Sequence, residues 1–232
     1  MIESMENALQ IAALTLCAGI ALIRAVRTQS RRWTLLAFCY GSWGLGDVYW
    51  LVCLIFFGHL PQISVVSDLS WYASYIFLYM LLREAAPPDG AREKRFQPWL
   101  GPLFAAGMAA FFMQWGEIVS NLIYALLMSL LLFSVIRRFL DREKYTAQQP
   151  LCAVILVFCL LEYALWTSSC FFKGDGLENP YYWFDFLLTV CFVFFLPAVR
   201  GGAEAPAVRD TARRKPNEQQ SDANGSEAAR QL

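Results

Sequence analysis

The sequence predicts an all-α fold, a polytopic membrane protein built as a seven-transmembrane-helix bundle. Three observations carry that expectation. The 232 residues are 57% hydrophobic and only 16% charged, whereas a soluble domain averages about 25% charged. The apolar residues gather in runs long enough to cross a bilayer, which takes about 20 residues per helix. The basic residues fall almost wholly between alternate runs, the pattern of the positive-inside rule.

Seven spans follow in order: 7–25, 33–57, 64–82, 98–115, 117–136, 150–172 and 181–198. Arg24, Arg27, Arg31 and Arg32 follow the first. Arg83, Arg92, Lys94 and Arg95 follow the third, and Arg137, Arg138, Arg142 and Lys144 the fifth. With the tail, 18 of the 19 basic residues lie on one side, and only Lys173 on the other. The N-terminus is then outside and the C-terminus cytoplasmic, which an odd number of spans requires. The expected location is the cell (plasma or inner) membrane. The opening "MIESMENALQ" is acidic, and no small-residue cleavage site follows it. The first run therefore reads as a retained helix, not a signal peptide. Spans 4 and 5 are joined by the tight turn "MQWGEI".

Residues 1–198 make the membrane domain. Residues 199–232 are polar and rich in Gly, Pro, Ser and Gln, too poor in apolar surface to order themselves, so a disordered cytoplasmic tail is expected. No soluble catalytic domain is expected. A signalling output would pass through a cytoplasmic partner, a homo-oligomer or helix movement.

Several function classes are disfavoured. The formal net charge is zero, so no nucleic-acid partner is expected. All seven cysteines lie in apolar runs without a C-x-x-C pair, and the single histidine, His59, lies outside the runs. Neither a metal site nor a disulfide framework is expected, and no cofactor is implied. The cysteines read as small packing residues. No lysine lies in span 7 to form a retinal Schiff base.

The informative residues are acids inside the spans: Asp47, Asp68, Glu162 and Asp185, with Glu117 at the outer boundary. No Lys, Arg or His lies within the spans as drawn to neutralise them. Ionisable groups at membrane depth are costly and point to function. On span 3, Asp68, Tyr72, Tyr75 and Tyr79 fall within about 60° of one another on a helix. Span 2 places Tyr40, Trp43, Asp47 and Trp50 on one broad side, with Gly41, Ser42, Gly44 and Gly46 allowing close helix approach. Cys159, Glu162, Trp166 and Ser169 share a face of span 6, as Tyr181, Tyr182, Asp185 and Thr189 do on span 7.

At 1.5 Å per residue, Asp68 and Asp185 lie roughly 6 Å below the outer surface, and Asp47 and Glu162 roughly 15 Å. The economical arrangement is an outward-facing, acidic, aromatic-walled pocket of Asp47, Asp68, Tyr72, Tyr75, Glu162, Trp166 and Asp185. Its carboxylates would be protonated or paired with a proton, cation or amine ligand. Asp68 either enters this pocket or caps the start of span 3, and Asp185 carries the same alternative near the start of span 7. Tyr181, Tyr182 and Trp183 read first as an interfacial aromatic belt. Glu117 reads as a solvated residue opening span 5.

Three resemblances attach to these residues. "GSWGLGDVYW" followed by "PQISVVSDLSWYASYIFLYMLL" resembles the seven-helix sensory domains at the N-terminus of some bacterial diguanylate cyclases. That resemblance implies a sensory role centred on Asp47 and Asp68. "GSWGLGD" also resembles a segment of lysoplasmalogenase-like membrane hydrolases, implying carboxylate-dependent lipid hydrolysis by Asp47 and Asp68. "HLPQI", with Pro61-Gln62, resembles half of a PQ-loop transporter signature, implying a 3+1+3 arrangement and a proton or cation relay through Asp47 and Glu162.

Overall fold

Helices occupy every apolar run, and local backbone chemistry sets most of their ends. The computed structural model describes residues 2–58, 65–84, 96–115, 117–174 and 176–204. The first hairpin joins α1 (Ile2–Thr28) to α2 (Arg31–Phe57) through Gln29, whose φ of 51° reverses the chain. Helix α2 stops at Gly58, which takes the left-handed conformation that glycine adopts without cost. Next comes α3 (Val65–Glu84). A 3-10 turn at residues 97–99 leads into α4 (Leu100–Phe112), followed by α5 (Ile118–Leu140). A second 3-10 turn, 146–148, leads into α6 (Gln149–Phe171), with Pro150 in its first turn. Helix α7 (Pro180–Glu204) opens on a proline and is capped by Asn179, whose Oδ1 accepts the Tyr181 N–H at 3.0 Å. No strand occurs among the described residues.

Six of these helices are long and apolar enough to cross a membrane, so this is a multi-pass helical membrane protein. The exception is the expected fourth span, which is helical but shorter than drawn. Instead of one helix over 98–115, the chain makes the 3-10 turn, a helix of 13 residues and a turn through Trp115. Thirteen residues reach about 20 Å, short of the roughly 30 Å hydrocarbon core. Helix α7 in turn runs to Glu204, past the expected boundary at 198. The remaining tail, 205–232, lies outside the described residues, as do His59, Pro61-Gln62 and the basic group Arg92, Lys94 and Arg95.

The six long helices close into a ring in the order α1, α2, α3, α5, α6, α7 and back to α1. This order sets α1 across from α5, α2 across from α6, and α3 across from α7. Helix α4 lies outside the ring against α5 and α6. Gly101 brings it close: a Cβ there would stand 2.7 Å from Leu132 Cβ. Phe104 and Phe112 of α4 pack on the Tyr163 ring of α6. Between helices, Tyr40 OH of α2 donates to the Phe192 carbonyl of α7 at 2.7 Å, and Ser74 Oγ of α3 to the Cys39 carbonyl of α2 at 2.9 Å. Such bonds, with close approach at small residues, hold helices together where lipid supplies no hydrophobic drive.

The two ends of the ring differ in charge. One end gathers the starts of α1, α3, α5 and α7 with the ends of α2 and α6, and it carries Glu3, Asp68, Glu117 and Asp185. The opposite end carries the arginines, including the Arg31–Glu84 ion pair at 3.4 Å. Among the described residues, Lys173 is the one base at the acid end, and it donates to the Ser169 carbonyl at 2.9 Å.

Arg138 lies just beyond the fifth span as drawn and is nevertheless buried. Helix α5 continues past 136, and Arg138 is only 6% exposed. It donates to the carbonyls of Ser134 and Leu82 and to Gln148 Oε1, at 2.9, 3.0 and 2.9 Å. It therefore ties α3, α5 and the turn before α6 together far from the acids. All seven cysteines are free thiols, and six are buried.

Candidate functional site

Ring closure leaves a cavity of about 410 Å³ at the acid end. Each ring helix sends one carboxylate to its wall: Glu3 from α1, Asp47 from α2, Asp68 from α3, Glu117 from the cap of α5, Glu162 from α6 and Asp185 from α7. Helix α4, outside the ring, sends none. No Lys, Arg or His lines this cavity.

The acids sit at different depths. Glu3, Asp68 and Glu117 lie in or beside the first turn of their helices, at the mouth. Asp185 lies in the second turn of α7. Asp47 stands ten residues before the end of α2 and Glu162 nine before the end of α6, about 15 Å in. The mouth acids meet the positive ends of helix dipoles, which favour negative charge. Asp47 and Glu162 lie well inside their helices, beyond the reach of either dipole end.

Each carboxylate that the cavity buries is held on one oxygen by a donor from the wall. The Trp71 indole N–H donates to Asp47 Oδ1 at 3.1 Å, and Tyr75 OH to Glu162 Oε2 at 2.7 Å. Gln10 Nε2 donates to Asp185 Oδ1 at 3.0 Å, and Ser120 Oγ to Asp68 Oδ2 at 3.4 Å. At the mouth, the Trp50 indole donates to Glu3 Oε1 at 3.2 Å. The deep pair is incomplete. Asp47 is 3% exposed and Glu162 1%, yet Asp47 Oδ2 and Glu162 Oε1 have no hydrogen-bond partner among the described residues. A buried charged oxygen without a partner is costly, so both call for a donor from the cavity: a proton, a cation or an ordered water.

Aromatic rings complete the enclosure. Trp43 forms the floor, with its ring 5.7 Å from Tyr75, 5.5 Å from Phe158 and 4.9 Å from Phe192. Trp50 and Trp71, 5.8 Å apart, stand together on one wall, and Trp166 and Tyr181 on others. Electron-rich faces beside carboxylates suit an ammonium group.

Of the seven residues expected to form a pocket, Asp47, Asp68, Tyr75, Glu162, Trp166 and Asp185 line this one cavity. Tyr72 does not. It turns to α5, where its hydroxyl meets Ser120 Oγ and donates to the Ser120 carbonyl at 3.2 Å. It adjoins the site through the chain Tyr72–Ser120–Asp68 and a small side pocket that it shares with Asp68, Trp71, Tyr75 and Trp166. Asp185 is no helix cap, since Asn179 does that work. Tyr181 lines the cavity and Tyr182 is buried, while Trp183, 53% exposed, keeps the belt position. Glu117 is exposed, as expected, and stands at the rim.

Sequence reasoning missed the contribution of α1. Glu3, Asn7 and Gln10 all line the cavity, and their spacing places them on one helical face. That period was the available signal. Trp71, the donor to Asp47, carried no signal of its own.

No family model matches this chain, and no curated protein or solved structure matches it.

Proposed function

We propose that this is an integral membrane sensory or ligand-binding protein whose intramembrane cavity takes a cation, an organic amine foremost. The observation that carries the reading is the deep pair, Asp47 and Glu162. They come from helices on opposite sides of the ring, and each has one oxygen held by an aromatic donor and one without a partner. An ammonium at this depth would offer donors to the free oxygens and a charge to the aromatic floor.

In this reading the protein sits in the cell membrane with its basic end in the cytoplasm, and the cavity opens outward. Occupancy would favour one packing of the ring over another, and the basic end would present that change to a cytoplasmic partner. The resemblance to the sensory domains of diguanylate cyclases supports this role, because it points to Asp47 and Asp68, and both line the cavity.

A second reading, a proton- or cation-coupled transporter, is favoured by one observation. Helix α4 stands outside a ring of three helices before it and three after it. Asp47 and Glu162 then occupy the middle helix of each trio. Uptake into sealed vesicles separates it from a sensor, which would bind without accumulation.

The test is thermal stability of the purified protein with a panel of inorganic cations and amines, for wild type and Asp47→Asn. An amine that raises the melting temperature of wild type but not of Asp47→Asn is the expected result. No shift in wild type, with Asp47→Asn at least as stable, would reduce the carboxylate to an interhelical structural group.

A further inference from the structure

We infer that the ligand is a linear aliphatic diamine or polyamine lying along the axis of the ring, with one ammonium between Asp47 and Glu162 and a second at the mouth beside Asp68 and Glu117. The inference rests on the amine-binding reading above and names the ligand class.

Three features lead to it. The first is charge. Six carboxylates and no base line the cavity, and a single ammonium could neutralise only one of them. The second is the division of the acids into levels. Asp47 and Glu162 lie about 15 Å in, while Asp68 and Glu117 lie within about 5 Å of the mouth. A compact cation reaches one level, and a chain with nitrogens about 10 Å apart reaches both. The third is the lining between the levels. Trp50, Trp71, Leu165 and Trp166 border the passage, and apolar surface of that kind suits a methylene chain.

The two levels also differ in what they need. The deep oxygens are buried and without a partner, so they fix one end of the ligand. The mouth acids are less enclosed, Asp68 half-buried and Glu117 exposed, and are dipole-supported, so they select for a second charge without trapping it. A monoamine of equal length would fill the same space and leave the mouth unanswered.

Calorimetric titration of the full-length protein in lipid nanodiscs tests this, with diaminooctane and with amino-octanol, the same chain with one ammonium replaced by a hydroxyl. Empty nanodiscs correct for partitioning. In wild type the diamine is expected to bind about tenfold more tightly or better, the scale of one charge-assisted contact. In the double variant Asp68→Asn/Glu117→Gln that ratio should fall to about twofold or less. Both ligands are titrated into the same sample, so the ratio stands free of any loss of folded protein. A ratio near one in wild type, or an undiminished ratio in the double variant, would overturn the two-level ligand. Amino-octanol binding would then still leave the cation cavity standing. Failure of both compounds to bind folded wild type would overturn both readings.

Discussion

The indole N–H of Trp71 donates to Asp47 Oδ1 at 3.1 Å, and the same indole fills the space beside Gly46, where a Cβ would stand 2.6 Å from Trp71 Nε1. A missing side chain on α2 thus seats the donor that holds the acid one residue later. Gly46→Ala should push the ring aside, because an indole cannot yield as a flexible chain end does. Gly44 is the matched control. Its nearest neighbour, Leu14 Cβ, lies at 3.8 Å from a built Cβ, and alanine there should gain up to about 1 kcal/mol of helix stability. Gly46→Ala should lose both melting temperature and amine affinity, while Gly44→Ala should gain melting temperature and leave affinity unchanged.

Removing only the donor isolates the bond. Trp71→Phe keeps most of the ring and leaves Asp47 without a protein donor, at a cost of about 1–3 kcal/mol. In an Asp47→Leu background the same change should cost much less, since no buried carboxylate remains to be satisfied. Denaturation of the four proteins in one detergent gives the coupling.

Tyr75 and Glu162 form the second buried pair, at 2.7 Å. Tyr75→Phe removes the 2.7 Å donor to Glu162 and should cost about 1–3 kcal/mol without ligand. An amine that supplies donors to Glu162 should recover part of that loss. The variant's melting temperature should therefore rise more on adding saturating ligand than that of wild type.

Arg138 predicts a separation of stability from binding. Arg138→Met removes donors to Leu82, Ser134 and Gln148 at the end away from the cavity. A loss of about 2–4 kcal/mol is expected, because buried acceptors lose their charged donor. Amine affinity of the folded fraction should stay within about twofold of wild type. A tenfold loss of affinity would show that the basic end and the cavity are coupled.

Acidification should weaken amine binding. Protons and an ammonium compete for the same carboxylates, so affinity rises with pH while the acids titrate. Titrations across neutral and acid pH should show a shallower dependence in the Asp47→Asn/Glu162→Gln variant than in wild type.

The apolar runs made most of the fold legible, because lipid forces each to satisfy its own backbone as a helix. Asp47 and Glu162 were legible for the same reason, since a carboxylate amid apolar residues has no cheap local account. The ring order was not, because contacts between α3 and α5 or α1 and α7 leave no local trace. Gln10, held against Asp185 and Thr189, sits in a stretch whose acidity reads equally well as an exposed terminus. Tyr72 was legible only in part. It shares the Asp68 stripe, but the stripe is wide enough to face both the cavity and α5.

The depth of Asp47 and Glu162 has an electrical meaning. A cation drawn about 15 Å into a hydrocarbon layer of about 30 Å crosses roughly half of the transmembrane voltage. One full charge across 100 mV is worth about 2.3 kcal/mol, so half the drop changes occupancy about sevenfold. The cavity would read its ligand and the energised state of the membrane together, and a cell that loses its potential would lose part of the bound charge at unchanged ligand concentration.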